Sequence, residues 1–546
     1  MTTLQQVSGE RARVYWIALG FALLGFVITI WLTPHGPDVW ADSVSYLDAA
    51  SNLTAGNGLT LSFDNGELAF AYERTLPIPL TIFAPAYSVL LAVPGFLGMA
   101  PLDAARLVNG LCFAALIVVA VLALARVTQG ALWPVLLGAL LILTAKIMLL
   151  TSTRALSEVL FIPLTHAGLL LLALWIDAPE NRLPWISAIV IALALLTRYA
   201  GAAVMLAALV TIALSQKSLR ARLRGGVVLV LVSGLPMALW LFRNWTLTGK
   251  LSPRTFILNP DPLAPVANTA GSLSTWVLPD TISQTRWGIV LGAGIVLVML
   301  IGLVGLDLWR WTAAAQERSS LQRIWRYVRQ LPGFILAQVV FISVYGVFVM
   351  FSAWFMDAHI PMDPRIFSPI QVSFLLVVVY YACRALTNSH LARLVRVVVL
   401  ILLVVLAASY LVRAVAWATV RSTEASDGYW QWTDSDLLAA VAALPEDTPL
   451  YSNGPDIVYF VTGRPVRYIP LQVNPLTARS NGAYEDELAL MRDDLQQGDG
   501  AVVYLNALAE LRWFLPAPDE VAASLGSFRV LVQSDEGTLY TAAGGQ

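Results

Sequence analysis

Long apolar runs separated by short polar breaks dominate residues 1–415. A helix needs about 20 mostly apolar residues to cross a bilayer. Hydropathy, run length and breaker residues give eleven such segments: 14–33, 103–127, 131–150, 156–176, 184–199, 200–215, 226–243, 287–309, 333–355, 366–386 and 396–415. The fifth and sixth are short and parted only by Thr197-Arg-Tyr-Ala-Gly201, so they are expected to tilt or partly re-enter. Beyond residue 415 the pattern changes. Helix-like stretches (434–444, 484–496) alternate with strand-like ones (449–452, 501–505, 527–533). The predicted architecture is a mainly α, polytopic membrane domain over 1–415 and a small α/β extracytoplasmic domain over 416–546. There is no internal repeat and no nucleotide-binding glycine loop.

Composition agrees. The 546 residues are 58% hydrophobic and 13% charged, with mean hydropathy +0.71, the profile of an integral membrane protein. A net charge of −1 argues against a nucleic-acid partner. Cys112 and Cys383 both lie in apolar runs, so neither a disulfide framework nor a cysteine metal site is expected. Val14 to Leu32 lacks a small-residue cleavage site behind it and reads as a retained helix.

Basic residues set the expected orientation. With the N-terminus cytoplasmic, Arg11, Arg13, Arg126, Arg182, the Lys217/Arg220/Arg222/Arg224 cluster and the runs 310–329 and 384–396 all fall inside. An odd number of spans then sends the C-terminal domain outside, in a multi-pass protein of the cell (plasma) membrane.

The opposite face is polar in a different way. Its first loop, 34–102, carries Asp42, Asp48, Asp64, Glu73 and Arg74. In this loop 43–54 has one apolar helical face, and 82–97 is an apolar stretch broken by Pro85, Pro94 and Gly95. Both are expected to be short helices lying on the membrane surface. Near the other loops of that face sit Lys146, Arg154, Glu158, Arg198, Arg243, Asp357, His359, Asp363 and Arg365. Ionisable groups at span ends are costly unless paired or wet, so their gathering points to a polar cavity.

Four stretches line up on this face: Asp42 with Tyr46-Leu47 and Gly56-Asn-Gly58, Ser157-Glu158, Trp240 with Arg243-Asn244, and Asp363-Pro-Arg-Ile-Phe-Ser-Pro369. With Pro85-Ala-Tyr87 and Thr197-Arg198-Tyr199, their order and sidedness resemble the GT-C superfamily of polytopic glycosyltransferases. The nearest likeness is to the bacterial RgtA/B/C/D-like group, related to protein O-mannosyltransferases and lipid A aminoarabinose transferases. The likeness covers about residues 14–386. It implies a sugar donor carried on a polyprenyl phosphate, an extracytoplasmic acceptor (glycan, lipid or protein) and inversion by direct displacement. It implies Asp42 as the base for the acceptor hydroxyl, with Glu158 as the second acid. Arg365, with Arg243 or Arg198, would meet the donor phosphate, and Asp48, Tyr87 and Asp363 would serve the acceptor or a secondary role. Many members carry a second acid next to the first; here Ser43 follows Asp42, which leaves metal dependence open. No cofactor is required by this reading, though Asp357, His359 and Asp363 are the ligand types that suit a divalent cation. A transporter or flippase for lipid-linked glycans is the alternative, and it predicts repeats and midplane polar groups.

The same residues have plainer readings. Asp42 suits the N-cap of the 43–54 helix, and Asp48 would be solvated on its polar face. Glu158 follows Arg154 by four residues, the spacing of an ion pair on one helix face. Lys146 would reach from its apolar run toward water, and Arg243 beside Trp240 and Trp245 would be an interfacial anchor.

Overall fold

The computed structural model describes the chain except residues 1, 67–74, 180–181, 250, 252–255, 257, 314–319, 357–359, 388–390, 424–427, 475–478, 498–499, 526–527 and 542–546. Glu73, Arg74, Asp357 and His359, and any metal site built on the last two, lie outside the described residues.

Every expected span is helical. The membrane domain runs α1 (Thr2–Leu32), α2 (Ala41–Thr54), α3 (Ala86–Gly95), α4 (Pro101–Val127), α5 (Leu132–Leu143), α6 (Lys146–Ser152), α7 (Glu158–Ile176), α8 (Trp185–Thr197), α9 (Gly201–Leu214), α10 (Leu219–Thr248), α11 (Ala264–Ser274), α12 (Asp280–Ser283), α13 (Arg286–Ala313), α14 (Ser320–Gln330), α15 (Gly333–Phe355), α16 (Pro364–Thr387) and α17 (Arg393–Thr423). Eight of these helices are long and apolar enough to span alone. The third expected span is the pair α5 and α6, bent by 57°. The fifth and sixth are the short helices α8 and α9, with the chain reversing between them. Gly201 is required at that turn, because a Cβ there would lie 2.5 Å from Leu195 Cα.

Burial ranks the helices. In α16, 94% of the apolar window is inside the protein, against 17% in α13 and 22% in α17. The first is the axis of the bundle, and the other two turn their Leu, Val and Ile side chains to where lipid tails would lie.

Both helices expected in the first loop form, and α2 is largely covered by the rest of the protein. Nine of its fourteen residues are buried, packed against α3, α4 and the C-terminal domain. In the same loop β1 (Thr60–Leu61) pairs antiparallel with β2 (Ile78–Pro79).

α17 continues to Thr423, through the expected division at 415/416. The C-terminal domain follows as α18 (Asp436–Ala442), β3 (Leu450–Ser452), α19 (Pro455–Thr462), β4 (Arg467–Tyr468), β5 (Val473–Asn474), β6 (Arg479–Ser480), α20 (Tyr484–Gln497), β7 (Ala501–Leu505), α21 (Pro518–Leu525), β8 (Arg529–Ser534) and β9 (Gly537–Thr541). Five strands form one sheet in the order β4-β3-β7-β9-β8, parallel across β4, β3 and β7 and antiparallel at β9 and β8.

The end of α17 and this domain are both tied to the first loop. Asp38 Oδ1 accepts from Arg421 Nη2 at 2.7 Å with both side chains buried. The Tyr429 N–H donates to Val39 O (2.8 Å), and Trp430 Nε1 donates to Pro37 O (3.0 Å). Gly428 takes φ +83° there, and a Cβ on it would sit 2.1 Å from Val39 O.

Candidate active site

The cap of α2 is Trp40, not Asp42. The Trp40 N–H donates to Ser43 Oγ at 3.1 Å, and its carbonyl accepts from Val44 N at 3.1 Å. Asp42 therefore sits within the first turn, where the helix dipole favours a carboxylate. Glu158 is the first residue of α7. The two acids open toward each other from separate helix starts.

Arg365 links them. Its Nε lies 3.2 Å from Glu158 Oε1 and its Nη1 lies 3.5 Å from Asp42 Oδ2. Arg198 takes the other oxygen, with Nη1 2.8 Å from Glu158 Oε2, and also donates to Ser157 Oγ at 3.1 Å. Ser157 Oγ is 2.9 Å from Tyr46 Oη. The chain Asp42–Arg365–Glu158–Arg198–Ser157–Tyr46 thus leaves α2 at one residue and returns to it one helical turn later.

Backbone breaks aim both arginines. Arg198 is extended between α8 and α9. Arg365 stands in the first turn of α16, after Pro364. Pro369 has no N–H to offer the Arg365 carbonyl, and Ser368 Oγ supplies the bond instead at 2.6 Å. Asp363 Oδ1 accepts from Ile366 N at 3.1 Å and so holds the start of that helix.

The two carboxylates differ in access. Glu158 is 2% exposed and committed to two guanidiniums, whereas the Asp42 side chain is 38% exposed. Asp42 is the accessible acid of the pair, and Glu158 is the buried anion that holds the arginines.

The other expected site residues fall elsewhere. Tyr87 is buried behind the cluster, edge-on to Tyr46, and donates to Asn109 Oδ1 at 2.8 Å. Asp48 is not solvated: it is 3% exposed. It accepts from Tyr459 Oη (2.5 Å), Ser62 N (2.6 Å), Ser62 Oγ (3.0 Å) and Asn52 Nδ2 (3.1 Å). The C-terminal domain covers the face of α2 that sequence pattern gives to water. Arg243 is not brought into the chain of ion pairs. It donates to Leu80 O (2.8 Å) and Leu59 O (3.2 Å) and lies 4.5 Å from the Trp240 ring centre, holding the first loop.

Two plainer readings also change. Arg154 stands before α7 rather than on it, over the Trp40 ring at 5.6 Å, so the spacing to Glu158 makes no direct pair. Lys146 is only partly exposed and pairs with Asp280. Ser157 and Tyr46 were present in the motifs without a role of their own. Their signal was position, one beside Glu158 and the other one turn after Asp42.

Among the described residues no group of three or more His, Cys, Asp or Glu side chains is placed to hold a metal ion. Asp42 and Glu158 do not converge on a common point, because the Arg365 guanidinium lies between them. These two acids do not fit a bridging divalent cation.

No protein-family model and no curated protein matches the sequence. Solved structures do match the fold. ArnT from Cupriavidus metallidurans superposes with TM-score 0.57 at 14% identity, over 97% of this chain and 98% of that one. The oligosaccharyltransferase of Archaeoglobus fulgidus superposes with TM-score 0.54 at 12% identity, over 96% and 73%. The arabinofuranosyltransferase AftD from mycobacteria gives TM-score 0.51 at 16% identity, over 97% and 40%. This chain has the GT-C fold. In the GT-C fold seen here, the first loop, the start of α7, the α8–α9 break and the start of α16 meet on one face, and the C-terminal domain sits over it.

Proposed function

We propose that this protein is an integral membrane glycosyltransferase that moves a sugar from a polyprenyl-phosphate carrier to an extracytoplasmic acceptor with inversion. The carrying observation is the accessible Asp42 leaning on an arginine that a buried glutamate fixes. Two neighbours in fold support the carrier: ArnT has a structure with undecaprenyl phosphate bound, and the Archaeoglobus enzyme has one with an inhibitory peptide and a dolichol-phosphate. The basic-residue pattern supports a cytoplasmic N-terminus and an extracytoplasmic C-terminal domain in the plasma membrane.

The chemistry follows from the ion pairs. An alcohol is a weak nucleophile and needs a base. Asp42 takes the proton of the acceptor hydroxyl as its oxygen bonds to the anomeric carbon. The bond from that carbon to the phosphate oxygen breaks, and the electron pair leaves with the phosphate. Arg365 meets that growing charge with charge-assisted hydrogen bonds. Its contact with Asp42 is the long one of its two, so an arriving phosphate draws the guanidinium from Asp42 while Glu158 keeps it in place. Arg198 keeps Glu158 charged and oriented. Asp48, Asp363 and Arg243 shape the site rather than touch the reacting atoms.

The test is Asp42→Asn in the full-length protein reconstituted with a panel of polyprenyl-phosphate sugars and acceptors. Transfer should fall at least 1,000-fold, consistent with the loss of a general base and of a charge, while donor binding persists. Near-normal turnover would remove Asp42 from the role of base.

A further inference from the structure

Beside the start of α16 lies a cavity of about 180 Å³, room for about six waters. It is walled by the α5–α6 bend, the segment 275–284, α16 and α17. Pro364 lines it, so it is one peptide bond from Arg365. The cavity holds two cations and one acid. Lys146 Nζ pairs with Asp280 Oδ2, Arg413 Nη2 lies 3.7 Å from Asp280 Oδ1, and the same Nη2 donates to Thr275 O at 2.6 Å. Ionisable groups within membrane spans are costly and mark ligand paths.

Several polar atoms here lack partners. Gln371 is 4% exposed, and its Oε1 has no hydrogen bond. Arg413 Nε is buried and also unpaired. Gln371 Nε2 donates to Tyr410 Oη at 2.9 Å, which leaves the Tyr410 proton free to donate. A buried amide oxygen without a partner costs free energy unless a ligand or water meets it. The empty positions are thus donors around an anion and one acceptor for a proton.

We propose that this cavity binds a phosphate monoester, with Asp280 as a resident counter-ion that the ligand displaces. The proposal rests on the transferase reading, because transfer leaves the carrier as a phosphate monoester. A carboxylate carries one negative charge. A diester carries no more, and gains little by replacing it between Lys146 and Arg413. A monoester carries between one and two charges near neutral pH, as phosphoryl groups on proteins do. In its hydrogen-phosphate form it also has a proton for Gln371 Oε1. The cavity therefore favours the discharged carrier over the charged donor and draws the product phosphate away from Arg365. Asp280 limits that affinity, so the product is released when the acid swings back.

The experiment measures binding alone, without acceptor or turnover, so it stands or falls apart from the Asp42 test. Full-length protein in nanodiscs is titrated with farnesyl phosphate, its methyl diester, phosphatidic acid and inorganic phosphate, with native mass spectrometry as the readout. Farnesyl phosphate should bind at least 10-fold tighter than the diester. Lys146→Gln and Arg413→Gln should each weaken it at least 10-fold. Asp280→Asn should tighten it several-fold, an effect that a purely structural salt bridge does not produce. If phosphatidic acid matches farnesyl phosphate, the site takes phosphomonoester headgroups from any lipid, and if inorganic phosphate does, the tail adds nothing; both support the shared chemistry. Equal binding of monoester and diester, or weaker binding in a folded Asp280→Asn protein, overturns the proposal.

Discussion

Arg365 Nε stands 3.2 Å from Glu158 Oε1, and through this one contact a buried acid controls a guanidinium at the open face. Glu158 also holds Arg198 at 2.8 Å. Removing the charge by Glu158→Gln leaves two arginines facing each other with no anion between them. Breaking a buried pair costs about 3–5 kcal/mol. Thermal unfolding in detergent should show a clear fall in Tm, with transfer lost in whatever protein stays folded. Asp42→Asn, at the exposed end of the same chain, should leave Tm within a degree or two of wild type.

Arg365→Lys keeps the charge but not the fork. A lysine ammonium is a point charge and cannot hold Glu158 and a phosphate in two fixed directions. Transfer should fall about 100-fold or more, in line with loss of one preorganised oxyanion donor. Rescue by lysine to more than half of wild-type turnover would make Arg365 a simple counter-charge.

The C-terminal domain positions α2 through Asp48. Tyr459→Phe keeps the ring and removes the hydrogen bonds of Tyr459 Oη, the 2.5 Å one to Asp48 and one shared with Ser62. A hydrogen bond to a charged group is worth about 1.5–3 kcal/mol. The expected result is a lower kcat with Asp42 intact, and faster hydrogen exchange at the Ser62 amide, which also donates to Asp48.

The same interface responds to pH. Burial pushes the carboxyls of Asp48 and Asp64 above their usual range, against the hydrogen bonds they accept. An acid whose pKa is raised on docking binds its proton more tightly when docked. Its contribution is therefore full below the ordinary carboxylate range and is lost as pH rises through the raised value. The C-terminal domain should resist limited proteolysis better at pH 4 than at pH 7, and Asp48→Asn should flatten that difference.

Arg421→Ala removes the buried 2.7 Å ion pair between Arg421 Nη2 and Asp38 Oδ1. The cost is again about 3–5 kcal/mol. Limited proteolysis should release the C-terminal domain faster, while the spans stay assembled by size-exclusion chromatography.

The spans were legible in the sequence because each is a long apolar run closed by a breaker, and even the α8–α9 turn was marked by Arg198 and Gly201. The acids and arginines of the site were legible as residue types at span ends. Their contacts were not, since Arg365 and Asp42 are 323 positions apart and no periodicity joins them. Asp48 was misread for the same reason: a polar face on a short helix looks solvated until the domain that covers it is known. Strand β4 has only two residues, too few for an alternating pattern. Asp280 and Arg413 were not singled out in the sequence; the signal for Arg413 is an arginine placed within the last apolar run, where a charge is costly unless it is paired.

The tie between the first loop and the C-terminal domain also has a direction in time. Asp38 meets Arg421 across 383 positions, and Asp48 meets Tyr459 across 411. A ribosome delivers the Asp42 helix to the membrane early and its clamps hundreds of residues later. Until Arg421 and Tyr459 emerge, the helix that carries Asp42 lacks the contacts that fix it. A nascent chain stalled before residue 421 would lack both clamps on its first loop, so the cluster around Asp42 is completed only when the covering domain is built.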